Sequence, residues 1–222
     1  PPDVFSLEPL GRMLRIGLPI GFQHQLEFGV FAIISLLMGT LGTIYIAAHQ
    51  VAINIASFTF MVPLGIGGAS AVLVGRAIGR RDREEAQRAA LASLMTGTTF
   101  MAASAAVMLM LPKLLASLYT NDPAVLGLAA SLIPIAGFFQ VFDGIQIVAM
   151  GSLRGTGDTR IPVLVCLIGF WLVGLPASIA LGFYANAGPR GLWWGFVAGL
   201  AVVSILLLIR MNTRFRGDLS RI

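Results

Sequence analysis

Two carboxylates dominate the chemistry available to this chain. Of its ten acidic residues, only Glu27, in "QLEFGVF", and Asp143, in "QVFDGIQ", lie inside long apolar runs. A charge at the centre of a bilayer costs ~2.5–3.5 kcal/mol on insertion scales, so an intramembrane acid points to function by default. Surroundings of low dielectric bring the protonated and ionised forms of such a group close in energy. A group poised in that way can carry a proton, and two together offer the hard oxygen ligands that a cation such as Na+ takes. On this reading neither acid has an Arg or Lys partner within the apolar runs. Helical spacing puts Gln23 and His24 on the Glu27 face and places Gln140 and Gln146 on either side of Asp143. A further polar stripe holds His49, Gln50, Asn54 and Ser57. Gln23, His24, Gln140, Gln146 and Asn54 are therefore the expected polar surroundings of the pair, with His24 orienting Glu27. His49, near the outer end of its run, has the weaker claim and reads as an interfacial residue.

The elements that must position these groups are membrane-spanning helices. The chain of 222 residues is 57% hydrophobic and 11% charged, less than half the ~25% charge of an ordinary globular domain. At ~20 apolar residues per span there is room for about six helices. They are expected at 16–38, 43–74, 87–111, 124–151, 160–184 and 191–210, giving an all-α integral membrane protein. The second run is too long for one straight span and is expected to kink at Pro63, which lacks a backbone donor. Asp82, three residues before Glu85, reads as a capping-box start, and Asp122 before Pro123 as an N-cap. "NAGP" at 186–189 reads as a turn. Gly191, Gly195 and Gly199, at four-residue spacing, form a stripe on which another helix can pack closely.

The chain divides into a lead-in of residues 1–15, a six-helix region of residues 16–211 and a basic tail of residues 212–222. All of the fifteen Arg and Lys residues except Lys113 and Arg190 fall on one side of these spans. The positive-inside rule makes that side cytoplasmic and puts both termini there. Trp193, Trp194 and Tyr184 read as an aromatic belt at the opposite boundary. The net charge of +5 then reflects loop arginines and not a nucleic-acid surface. The lone Cys166 excludes a disulfide within the chain. The first residue is Pro and no cleavable signal peptide is evident, which reads as one half of something longer.

Enzyme motifs are weak. "FD" at 142–143 with "GTGD" at 155–158 resembles the paired-aspartate signature of intramembrane aspartyl proteases. A continuous helix would hold Asp143 and Asp158 ~22 Å apart, and Asp158 is better read as the N-cap of the fifth helix. HExxH, P-loop and GxSxG patterns are absent. A non-enzymatic, gradient-driven role fits better.

Four features in order carry a family resemblance. They are "AAHQVAINIASFTFMVPLGIGGA" (47–69) with "VGRAIGRRDREEA" (74–86), "LYTNDPAV" (118–125), "LRGTGDTRIP" (153–162), and the buried Glu27 and Asp143. Together they resemble the carboxy-terminal six-helix lobe of a MATE (multidrug and toxic compound extrusion) transporter of the NorM-like branch. The resemblance implies a twelve-helix fold of two pseudo-symmetric lobes, this chain being one and an amino-terminal lobe its partner. It implies efflux of small organic cations and other xenobiotics across the bacterial inner membrane. Inward Na+ or H+ would drive the exchange as the coupling ion, with no bound cofactor. It also implies that Glu27 and Asp143 form the coupling site, as protonatable groups or Na+ ligands. Phe139 and Phe60 stand where some relatives carry Tyr, which removes a hydroxyl ligand. Phe22, Phe28, Phe31, Phe60 and Met61 could line a substrate site, but at helical spacing they are more often lipid-facing or core and are held out of the site. The rival readings are a lipid-linked precursor flippase of the same superfamily, which calls for a more cationic cavity, a non-transporting scaffold in which the acids are dispensable, and the aspartyl protease.

Overall fold

The computed structural model describes residues 7–217, apart from the side chains of residues 7–10, Arg12 and Ile16. The ends of the expected lead-in and tail, Arg221 among them, lie outside the described residues. Among the described residues there are six long apolar helices: α1 (Leu7–Leu41), α2 (Thr43–Gly79), α3 (Arg83–Met110), α5 (Pro123–Gly155), α6 (Arg160–Tyr184) and α7 (Gly188–Arg216). A short helix, α4 (Pro112–Ser117), follows α3. It was not anticipated, and Pro112, the first residue of its own helix, accounts for the break from α3.

Local chemistry sets these boundaries. Asp82 accepts the Glu85 amide at 2.9 Å, and Asp122 accepts the Ala124 amide at 2.8 Å with Pro123 in the first turn. The 186–189 turn has Asn186 at φ 55° and Gly188 at φ 56°. One expectation fails here. Asp158 does not cap α6; Thr159 occupies that position, and the Asp158 carboxylate accepts from Arg210 Nε at 2.7 Å, reaching across to α7. The second span is one continuous helix that runs through Pro63 to Gly79.

The packing is built around α5, which lies against α2, α3 and α7. Its glycines make this possible. A Cβ on Gly151 would enter the backbone of Gly67, and one on Gly67 would come within 2.8 Å of Ile147 O. The two helices therefore touch main chain to main chain, with Ser70 and Ser152 sharing a hydrogen bond of 2.8 Å across the seam. The stripe Gly191, Gly195 and Gly199 does the same for α6 and α7, against Leu181, Ser178 and Gly174. The α6 helix is widened by π-helical turns at Leu167–Gly174 and Ala180–Tyr184. Pro176, just beyond the first, withholds a donor from that turn. From the first π turn Trp171 Nε1 donates to Leu26 O on α1 at 3.1 Å.

Candidate functional site

A cavity of about 680 Å³ lies between α1, α2 and α5. Each helix lines it with one face, at the three- and four-residue spacing of a helical stripe. From α1 come His24, Glu27, Phe28 and Phe31; from α2, Ile53, Ala56, Ser57, Phe60 and Leu64; from α5, Phe139, Asp143 and Ile147. The two intramembrane carboxylates thus share one chamber although 116 residues separate them in the chain. Its walls are aromatic and aliphatic. Phe31 and Phe139 are backed by Phe196 of α7, with ring centroids 4.6 and 5.0 Å from it.

The polar contacts are specific. Gln146 Nε2 donates to Glu27 Oε1 at 2.9 Å, while Gln146 Oε1 is buried without a hydrogen-bond partner. The Glu27 and Asp143 carboxylates line the chamber and Gln146 bonds the first of them; hard oxygens of this kind are what a small cation such as Na+ would take. His24 Nδ1 lies 4.0 Å from Glu27 Oε2, in keeping with an orienting role.

Other residues expected around the pair are placed elsewhere. Gln140 turns toward α3, where its Oε1 accepts from Ser104 Oγ at 3.0 Å and its Nε2 approaches Met108 Sδ at 3.1 Å. Gln23 is buried with its amide against Met150 Sδ at 2.6 Å. Asn54 is exposed and lies outside the lining. Their spacing was correct for one face of a helix, but a helix has several buried directions and periodicity does not say which one meets the cavity. His49 is not interfacial: it is buried, 3.0 Å from Ser35 Oγ, with its ring edge-on to Trp193. Trp193 is itself fully buried and leaves the expected belt, whereas Trp194 and Tyr184 remain exposed. Phe28, Phe31 and Phe60, expected as lipid-facing or core, line the cavity instead.

Arg154 was missed. It belongs to the last turn of α5, and its Nη2 lies 3.4 Å from His24 Nε2, close enough for its charge to act on Glu27. Glu27 thus has a cation near it, reached through His24 from the turn that follows the apolar run. The signal was present, since Asp143, Ile147, Met150 and Arg154 follow one helical face. Asp158, required by a protease, is held by Arg210 and is not part of the lining.

These features define a multi-pass α-helical membrane protein whose acidic site faces an apolar cavity. The MatE family model matches residues 19–179, and the chain belongs to the MatE family. The multidrug resistance protein NorM of Burkholderia vietnamiensis is 43% identical over 214 residues, covering 94% of this chain and 46% of that protein. Among solved structures, the eukaryotic MATE transporter AtDTX14 superposes with a TM-score of 0.87 at 23% identity, over 96% of this chain and 50% of that one. A multidrug resistance MATE transporter of the MOP superfamily, in its outward-facing conformation, gives 0.88 at 21% identity, over 96% of this chain and 48% of that one. At these identities the structural likeness concerns the fold. The chain spans about half the length of the curated relatives it matches.

Proposed function

We propose that this chain is one lobe of a cation-coupled multidrug efflux antiporter that exports small organic cations in exchange for Na+ or H+. The observation that carries the reading is the pair Glu27 and Asp143, brought from α1 and α5 into one aromatic-lined cavity. A lipophilic cation matches such a lining, with carboxylates for its charge and ring faces for its body. The lining is acidic, which disfavours the phosphate-bearing cargo of a flippase.

In this mechanism the ionised pair faces outside and takes up the coupling ion, with Gln146 Oε1 as a further oxygen ligand. Neutralisation removes the repulsion between the two carboxylates and changes how α1 packs on α5. The cavity then opens to the cytoplasm, the ion leaves and an organic cation takes its place. Each inward charge is worth ~2.3 kcal/mol per 100 mV of membrane potential, besides its concentration gradient. The amino-terminal lobe supplies the other wall of the substrate path, both termini face the cytoplasm, and the membrane is the bacterial inner membrane.

The test is efflux of a fluorescent cationic dye from cells expressing the complete gene, with and without Na+ at fixed pH and matched expression. Glu27→Gln and Asp143→Asn are each expected to abolish efflux, and the Na+ dependence of the wild type names the ion. Normal pumping by both variants would overturn the reading.

A further inference from the structure

Arg154 lies at the C-terminal end of the α5 face that carries Asp143, about three helical turns along. Its Nη2 meets His24 Nε2 at 3.4 Å, and His24 Nδ1 lies 4.0 Å from Glu27 Oε2. The imidazole thus stands between guanidinium and carboxylate. Arg154 Nε is buried and has no hydrogen-bond partner. Burying a guanidinium with an open donor is costly unless a counter-charge offsets it, and Glu27 supplies that attraction. Arg210 is the contrasting case: it donates directly to Asp158 at 2.7 Å, outside the cavity, as a structural ion pair. Arg154 is instead held one residue away from its carboxylate, and the carboxylate stays on the cavity wall.

The formal charges follow. In the ion-free state that the antiporter reading requires, with Glu27 and Asp143 ionised, Arg154 cationic and the neighbouring His24 and Cys166 uncharged, the formal charge of the site is one negative. Building on the antiporter reading, we infer that Arg154 is a specificity-determining residue that sets the net charge of the site at one negative, so that a single monovalent cation neutralises it. Coupling ion and organic substrate then compete for the same charge, which enforces one-for-one exchange. A dication over-neutralises the site and leaves a buried excess charge, which a low-dielectric cavity penalises.

The experiment measures binding of tetraphenylphosphonium, a monocation, and methyl viologen, a dication, to the complete protein in detergent and Na+-free buffer. Wild type is expected to favour the monocation. Arg154→Gln, with two uncompensated carboxylates, is expected to shift the preference toward the dication by about tenfold or more, a modest part of what one unit charge can supply at such distances. Arg154→Lys should keep the wild-type preference. Glu27→Gln alone should lose monocation binding, and Glu27→Gln with Arg154→Gln should regain it, because the charge returns to one negative. Should Arg154→Gln fail to fold by size exclusion, the comparison of Glu27→Gln with the double variant decides the matter. An unchanged preference in Arg154→Gln, a Lys variant that behaves like Gln, or a double variant that binds no better than Glu27→Gln overturns the inference. If Glu27→Gln and Asp143→Asn abolish dye efflux while Arg154→Gln keeps the wild-type preference, the charge-setting role falls and the antiporter reading stands. Normal efflux in both acid variants removes the antiporter reading itself.

Discussion

The two sides of α5 are built on opposite rules. Toward α2 and α3 the helix presents Gly144, Gly151 and Gly155, and main chain meets main chain or a flush side chain with no room for a Cβ. Toward α1 it presents Asp143, which lines an open cavity, and Gln146 and Arg154, which meet Glu27 and His24 through polar groups. Lipid tails are as apolar as leucine, so helices in a bilayer associate through close packing and hydrogen bonds and not through hydrophobic burial. The glycine seam provides that association. It allows the opposite face to hold charged groups and empty volume, neither of which stabilises the fold. One face of the helix holds the bundle together, and the other is open to ligand.

The comparison can be broken most severely at the seam. Gly151→Val drives two methyl groups into the Gly67 backbone. It is expected to cost more than ~4 kcal/mol and to leave no monodisperse protein on size exclusion. Arg210→Ala, at the edge of the bundle, strips a buried Asp158 of its partner. Arg210 is 33% exposed, so the loss should be about 2 kcal/mol, below the ~3–5 of a fully buried pair. A lowered melting temperature that Asp158→Asn partly restores would check it. Across the seam, a double-mutant cycle on Ser70→Ala and Ser152→Ala should return a coupling of ~0.6 kcal/mol, typical of interhelical hydrogen bonds in membranes. The smallest effect on stability is expected in the cavity. Asp143→Asn should move the melting temperature by no more than about 0.5 kcal/mol allows, or raise it, while dye efflux is lost. A cavity variant that unfolds the protein while the seam tolerates valine would invert the comparison.

Legibility followed the same division. The caps at Asp82 and Asp122 and the α6–α7 glycine stripe were readable because each depends on residues a few positions apart. The acidic pair was readable for another reason, since a carboxylate in an apolar run is conspicuous wherever its partner lies. Asp158 misled: its position before a helix suits a cap, but its partner Arg210 lies on α7 and no local rule connects them. Gln140 and His49 misled because polarity within a span says that a group needs a partner, and not whether that partner is a cavity, a serine or a methionine.

The amino-acid sequence by itself determined the class of the molecule, the number of its spans, several of their boundaries and the two carboxylates that lie within apolar runs. These rest on hydropathy, helical period and backbone chemistry, all properties of short stretches. Tertiary structure alone decided that Glu27 and Asp143 face one chamber, that Gln146 bonds Glu27, that Arg154 reaches His24 and that Asp158 pairs with Arg210. The physical reason is that a helix side chain can point in any direction around its axis. The direction that matters is set by which neighbours pack closely enough to exclude the others, and here the glycine seams set it.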